Sequence, residues 1–244
     1  MEYHGRVTFP ETRYSVVQAL RSGDQDQRDR ALSLLASMYR APIEAYLRHR
    51  LRGDLQRAEE LTQAFFVAVI ERDIFGAYLS EKAKFRTFVR VCLDRFVATS
   101  HRDGARIKRG GGVSAVSLDQ QVESHELDFP TESESAEAVF DREFKRALLA
   151  SSIEKLRQRL AESERAHHFQ VFSRFDLHDG PGERPSYASL AEEIGGSVTQ
   201  VTNHLHAARK ELRRIVAESL RELSSGEEEF LEEAKLLGVD PEPP

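Results

Sequence analysis

Side chains able to read a base edge share one helical face near the C-terminal end of the chain. On a 3.6-residue wheel Thr199, Gln200, Asn203, His206 and Lys210 project away from an apolar stripe. Gln and Asn can bond an adenine edge at two points, and Thr can donate, accept or touch a thymine methyl. Arg209, Arg213 and Arg214 lie further along and suit phosphate. A second group is aromatic and basic: Phe75, Tyr78, Lys82 and Lys84 occupy a loop, followed by Arg86 and Arg90. Such a group could stack and track a single strand. Spacing alone weighs more toward Phe75 and Tyr78 as core anchors with the arginines solvated.

Catalytic constellations are not found. His167 and His168 are adjacent, and neighbours on a helix point to different faces, so a surface pair is expected rather than a metal site. His204 and His206 have no carboxylate or cysteine company. There is no P-loop, dinucleotide fingerprint or nucleophile elbow, and Gly110-Gly111-Gly112 follows no strand. The expectation is a protein that is not an enzyme and takes no cofactor and no metal.

The base-reading face needs two helices to hold it. Pro185 and Ser186 give a start signal, with Ser186 as N-cap, and Tyr187, Leu190, Ala191 and Ile194 make one apolar face. Gly195-Gly196 ends that helix. Ser197 caps the next, in which Val198, Val201, Leu205, Ala208, Leu212, Ile215 and Val216 form a stripe. This is the grammar of a helix-turn-helix, whose second helix enters the major groove. The plainer alternative is two amphipathic helices packed in an all-α core.

The 244 residues allow one to two domains. No run of about eighteen apolar residues predicts a membrane span, and residues 1–10 lack a signal-peptide core. Cys92 is the single cysteine; it fits a reducing cytosol and reads as a buried structural thiol. The net charge of −6 is unusual for a DNA binder, but basic stretches at 102–109 and 209–214 can still meet phosphate. Acids gather at 119–143 and 227–233.

Periodicity predicts helices over 30–52, 55–72, 85–101, 134–158 and 163–175, with a small N-terminal helix around Val16, Val17 and Leu20. Pro42 should kink or split the first of the long helices. Asp54 should cap the second. The expected layout is all-α: an N-terminal extension 1–23, a helical domain 24–103, a linker 104–133, a helix-turn-helix domain 134–223 and an acidic tail 224–244. Within the tail, 227–237 could form a short helix that packs through Phe230, Leu231 and Leu237, or frays.

Two stretches resemble one family. Arg57-Ala58-Glu59-Glu60-Leu61-Thr62-Gln63-Ala64-Phe65-Phe66, followed by Phe85-Arg86-Thr87-Phe88-Val89-Arg90, is similar to region 2 of a bacterial sigma-70 family factor. The helix-turn-helix, continuing through His206-Ala207-Ala208-Arg209-Lys210-Glu211-Leu212, is similar to region 4. Two domains joined by a linker, with no region 3, is the layout of the extracytoplasmic-function group. Phe9-Pro10-Glu11-Thr12-Arg13-Tyr14-Ser15 and Lys108-Arg109-Gly110-Gly111-Gly112 resemble a long-tailed subgroup.

The resemblance implies a cytoplasmic transcription initiation factor that binds core RNA polymerase through the β′ clamp helices and the β flap. Glu59, Glu60, Leu61, Gln63 and Phe66 would face polymerase. Phe75, Tyr78, Lys82, Lys84, Arg86 and Arg90 would face the melted −10 strand. Ser197, Thr199, Gln200, Asn203, His204, His206, Lys210 and Arg213 would serve the −35 element. The linker would thread the polymerase cleft, and its acids at 119–143 would suit an RNA channel. An anti-sigma factor or a regulatory kinase would be a further partner of such a protein.

Departures from the family pattern carry their own expectations. Arg57 stands where the acidic cluster often begins with Asp, so one clamp contact should be lost or reversed; phosphorylation of Thr62 would restore negative charge. Asp94 replaces a usual Asn, and the chain has no Trp. Thr202, His204 and Ala207 replace basic residues, which predicts weak DNA binding by the isolated protein. Two competing functions remain open on sequence: a stand-alone helix-turn-helix regulator, and a degenerate sigma-like interaction protein.

Overall fold

The computed structural model describes residues 15–22, 24–107, 135–178 and 183–242. The Phe9–Ser15 lead-in up to residue 14, the linker from residue 108 to 133 and the loop 179–182 lie outside the described residues. Among the described residues the fold is all-α, with no strand. Contacts divide the chain into two units: Ala19–Ala147, and Leu148–Pro244 together with the N-terminal residues through Gln18.

In the first unit, α2 (Gln25–Arg50) starts at Asp24, whose carboxylate accepts from the backbone N–H groups of Asp26 and Gln27. α2 runs unbroken through Pro42 instead of splitting there. One lost backbone hydrogen bond is outweighed by burial on both sides, since Met38, Tyr39, Ile43, Tyr46 and Leu47 are all core residues. α3 (Leu55–Glu71) is capped as expected: Asp54 Oδ1 accepts from Arg57 N at 3.0 Å. A 3-10 turn at Phe75–Ala77 leads to α4 (Phe85–Ile107), which continues past residue 101, where the sequence periodicity fades.

The core of this unit is aromatic. Phe65, Phe75, Phe85, Tyr39 and Tyr46 are fully buried, joined by Phe140 and Phe144 from the start of α5 (Ala136–Glu162). Ring centroids lie 5.4 Å apart for Phe75–Phe85, 5.7 Å for Tyr39–Phe85 and 5.3 Å for Tyr39–Phe144. Each buried ring contributes about 1.5–3 kcal/mol by leaving water, and edge-on pairs add roughly 0.5–1.5 kcal/mol. The Tyr46 hydroxyl donates to Asp94 Oδ1 at 2.6 Å, so Asp94 satisfies a buried phenol.

The second unit is built on α6 (Ala166–Asp176), α7 (Tyr187–Glu193), α8 (Val198–Glu222) and the later part of α5. Leu156, Leu160, Val171, Phe172, Leu190, Val201, Leu205, Ala208 and Ile215 close its core. Val198, expected on the apolar stripe, is exposed. The short α1 (Ser15–Ala19) contributes buried Val16 and Val17. The tail is folded: α9 (Glu227–Leu237) buries Phe230 and Ala234, and the Arg221 guanidinium lies 4.0 Å from the Phe230 ring centroid. Leu231 is exposed and Leu237 half-buried, so Phe230 is the anchor.

Candidate nucleic-acid interface

Local chemistry explains why α7 and α8 meet at a sharp turn. The Ser186 hydroxyl accepts from Ser189 N at 3.1 Å, and Gly195 takes the left-handed φ of +64° that ends α7. Ser197 and Gln200 then form a capping box: Ser197 Oγ accepts from Gln200 N at 3.2 Å, and Gln200 Oε1 accepts from Ser197 N at 2.8 Å. A Cβ on Gly196 would come within 2.6 Å of that Gln200 oxygen, so a side chain there would make the Gln200 amide shift. Gln200 is therefore tied up at its carbonyl oxygen, and only its amide nitrogen is left for a base.

Thr199, Asn203, His206, Lys210 and Arg213 are all exposed and follow one another at steps of three and four along α8. This is a continuous polar stripe of about four turns. Other cations are committed elsewhere. Arg209, expected to suit phosphate, makes a bidentate pair with Asp176 at 2.7 and 2.8 Å. Arg214 bonds Glu211 at 2.6 Å and lies 3.7 Å from Glu218. Those two acids also hold Arg159, at 3.1 and 3.0 Å.

His204 does not join the base-reading stripe. Three residues after Val201 and four before Ala208, it sits at the margin of the apolar face and turns toward α6. Its ring centroid lies 4.4 Å from that of His168 and 4.7 Å from that of His167. The expectation that His167 and His168 diverge is likewise corrected, since their rings are 4.7 Å apart. Burial, then His204 and His167, then Arg165, push the His168 imidazole down to about 4. Burial and His167 lower His204 as well.

In the first unit, Glu59, Glu60 and Gln63 are exposed on α3 and Phe66 is half-buried. Leu61 is buried in the core, so its expected outward role is corrected. Val67 and Ile70, at 52% and 66% exposure, extend the outward face. Arg57 pairs with Glu60 at 3.2 Å and partly neutralises that face. Thr62 is buried and its hydroxyl donates to Ala58 O at 2.8 Å, so a phosphate there would require the helix face to open.

The expected strand-facing group divides. Phe75 and Tyr78 are core residues, and the Tyr78 hydroxyl donates to Ala83 O at 2.9 Å. Arg86 is also buried, 2.9 Å from Asp141 and with its guanidinium 5.5 Å from the Phe144 ring centroid. Their outward roles are corrected, because neighbouring aromatics and an acid from α5 claim them. Lys82 is exposed, and Lys84 and Arg90 are half-buried. Arg90 lies 3.9 Å from Asp141.

No helix among the described residues is long and apolar enough to cross a membrane. No curated protein and no solved structure matches the chain. A family model described as "ECF sigma factor" matches residues 14–218, which spans both units. The chain belongs to the ECF sigma factor family, and with it to the sigma-type transcription initiation factors.

Proposed function

We propose that this protein binds core RNA polymerase and directs it to promoters, reading the −35 element with α8 and engaging the −10 element with the α2–α4 unit. The observation that carries the reading is the exposed stripe Thr199, Asn203, His206, Lys210 and Arg213 on a capped helix-turn-helix, in a chain of the ECF sigma factor family. Asn203 and Thr199 contact base edges, while Lys210 and Arg213 contact phosphate. Ser197 sets the helix start, and Gln200 contributes through its amide nitrogen.

Glu59, Glu60 and Gln63, with Phe66, Val67 and Ile70, form the polymerase-facing side of α3. Lys82, Lys84 and Arg90 contact the −10 strand, where flipping a base costs a few kcal/mol that phosphate and stacking contacts must offset. The protein acts in the cytoplasm with the polymerase and performs no catalysis of its own. With Arg209 and Arg214 committed to acids, isolated DNA binding is weak and polymerase supplies the missing affinity.

The test is transcription by reconstituted holoenzyme on a mapped promoter carrying each single −35 base change. Asn203→Ala should relax discrimination at one base pair by about 1–3 kcal/mol, and Lys210→Ala should weaken all sequences alike. An Asn203→Ala profile identical to wild type would remove α8 as the −35 reader. A stand-alone regulator would bind DNA tightly without polymerase and would not copurify with core.

A further inference from the structure

We propose that His167, His168 and His204 form a binding site for a divalent transition-metal ion that ties α6 to the second helix of the helix-turn-helix. His167 and His168 lie in the first turn of α6, and His204 lies in the second turn of α8, all within one unit. One ligand nitrogen from each residue lies within 4.8 Å of the others. Tetrahedral Zn–N bonds of about 2.0–2.1 Å put ligand nitrogens about 3.4 Å apart. Closure therefore needs about 1.4 Å of travel, within reach of imidazole rotation at the exposed His167.

A second observation points to a ligand. His168 Nδ1 is buried with no hydrogen-bond partner. A buried nitrogen left so is unfavourable, and metal coordination is a direct way to satisfy its lone pair. Ring packing alone would leave the nitrogen unsatisfied.

The donor set selects the ion class. Three imidazoles with no carboxylate among them suit Zn²⁺, Ni²⁺ or Cu²⁺ and disfavour Mg²⁺ or Ca²⁺. Three protein ligands leave a fourth position for water. Because the ligands come from two helices, the ion binds only the folded unit and stabilises it by mass action. His204 follows Asn203 directly, so the ion fixes the helix that carries the exposed stripe.

The test uses the untagged full chain, stripped with chelator and titrated with ZnCl₂. Wild type should retain one Zn²⁺ per chain after desalting and melt several degrees higher with metal than without. Co²⁺ in place of Zn²⁺ should give the strong visible bands of a tetrahedral site. His167→Gln changes an exposed residue, so its metal-free melting point should match wild type while its Zn²⁺ affinity falls by at least about tenfold. His204→Gln should lose the site as well, and His49→Gln should keep it. Wild type retaining no metal, or His167→Gln and His204→Gln both binding Zn²⁺ as wild type does, would overturn the proposal. Weak Co²⁺ bands of an octahedral ion would mark an adventitious surface ion only, and would overturn it too.

Discussion

The Arg86 guanidinium sits 2.9 Å from the Asp141 carboxylate, 55 residues further along the chain. Arg86 is 5% exposed, so the pair holds a charge inside the aromatic core and fastens the start of α5 to α4. Removing the acid leaves that charge poorly compensated. Asp141→Ala should destabilise the protein by about 2 kcal/mol, whereas Arg86→Met, which removes the charge and keeps the volume, should stay within about 1 kcal/mol. Urea denaturation checks both. Equal costs for the two variants would show that the pair is not buried in the way described.

Arg57 bears on polymerase binding. Its pair with Glu60 is exposed and contributes little to stability, about 0.2–1 kcal/mol. Arg57→Asp frees Glu60 and adds an acid near the N-terminus of α3, where the helix dipole favours it. Core polymerase affinity should rise roughly fivefold, about 1 kcal/mol, measured by competition binding. An unchanged or weaker affinity would take the acidic end of α3 away from the polymerase face.

The C-terminal helix is part of the fold. Phe230 is fully buried and lies under the Arg221 guanidinium. Phe230→Ala should cost about 3–5 kcal/mol, and truncation after Leu223 should cost at least as much. A frayed tail would give a melting curve unchanged by either.

Alkaline pH should weaken the first unit. Burial pushes the Cys92 thiol from 9.0 up to about 11. Burial, then the hydrogen bond and charge of Asp94, raise Tyr46. Both groups keep their protons in the folded state where the unfolded chain has lost them. The Cys92 contribution is full below pH about 9 and is lost as the pH rises toward about 11, while that of Tyr46 starts to fall only above the ordinary tyrosine range and continues beyond this window. Thermal melts across that window should fall, and Cys92→Ala should fall less steeply. Parallel slopes would contradict the assignment.

The helix-turn-helix was legible because its determinants are local. Ser186, Gly195 and Ser197 act within a few residues, and the stripe from Val201 to Ile215 repeats at the helical period. The region around Phe75, Tyr78 and Arg86 was less so. Spacing favours Phe75 and Tyr78 as core anchors, and they do pack on the nearby Phe65, Phe85 and Phe88; Arg86 instead is buried by Asp141 and Phe144, which follow in sequence only after the long segment 108–134. The histidine cluster was hidden for the same reason: 36 positions separate His168 from His204, and only the packing of α6 on α8 brings them together. The one sequence signal was the position of His204 at the edge of an apolar stripe.

The central claim, a polymerase-directing factor, is tested most directly by transcription on the host's own genomic DNA with purified core polymerase, mapping every start site. With the wild-type protein, discrete starts should appear that share a −35 and a −10 element and are absent with core alone. A Thr199→Ala, Asn203→Ala double variant should lose or redistribute them. The same background of starts with and without the protein would contradict the account.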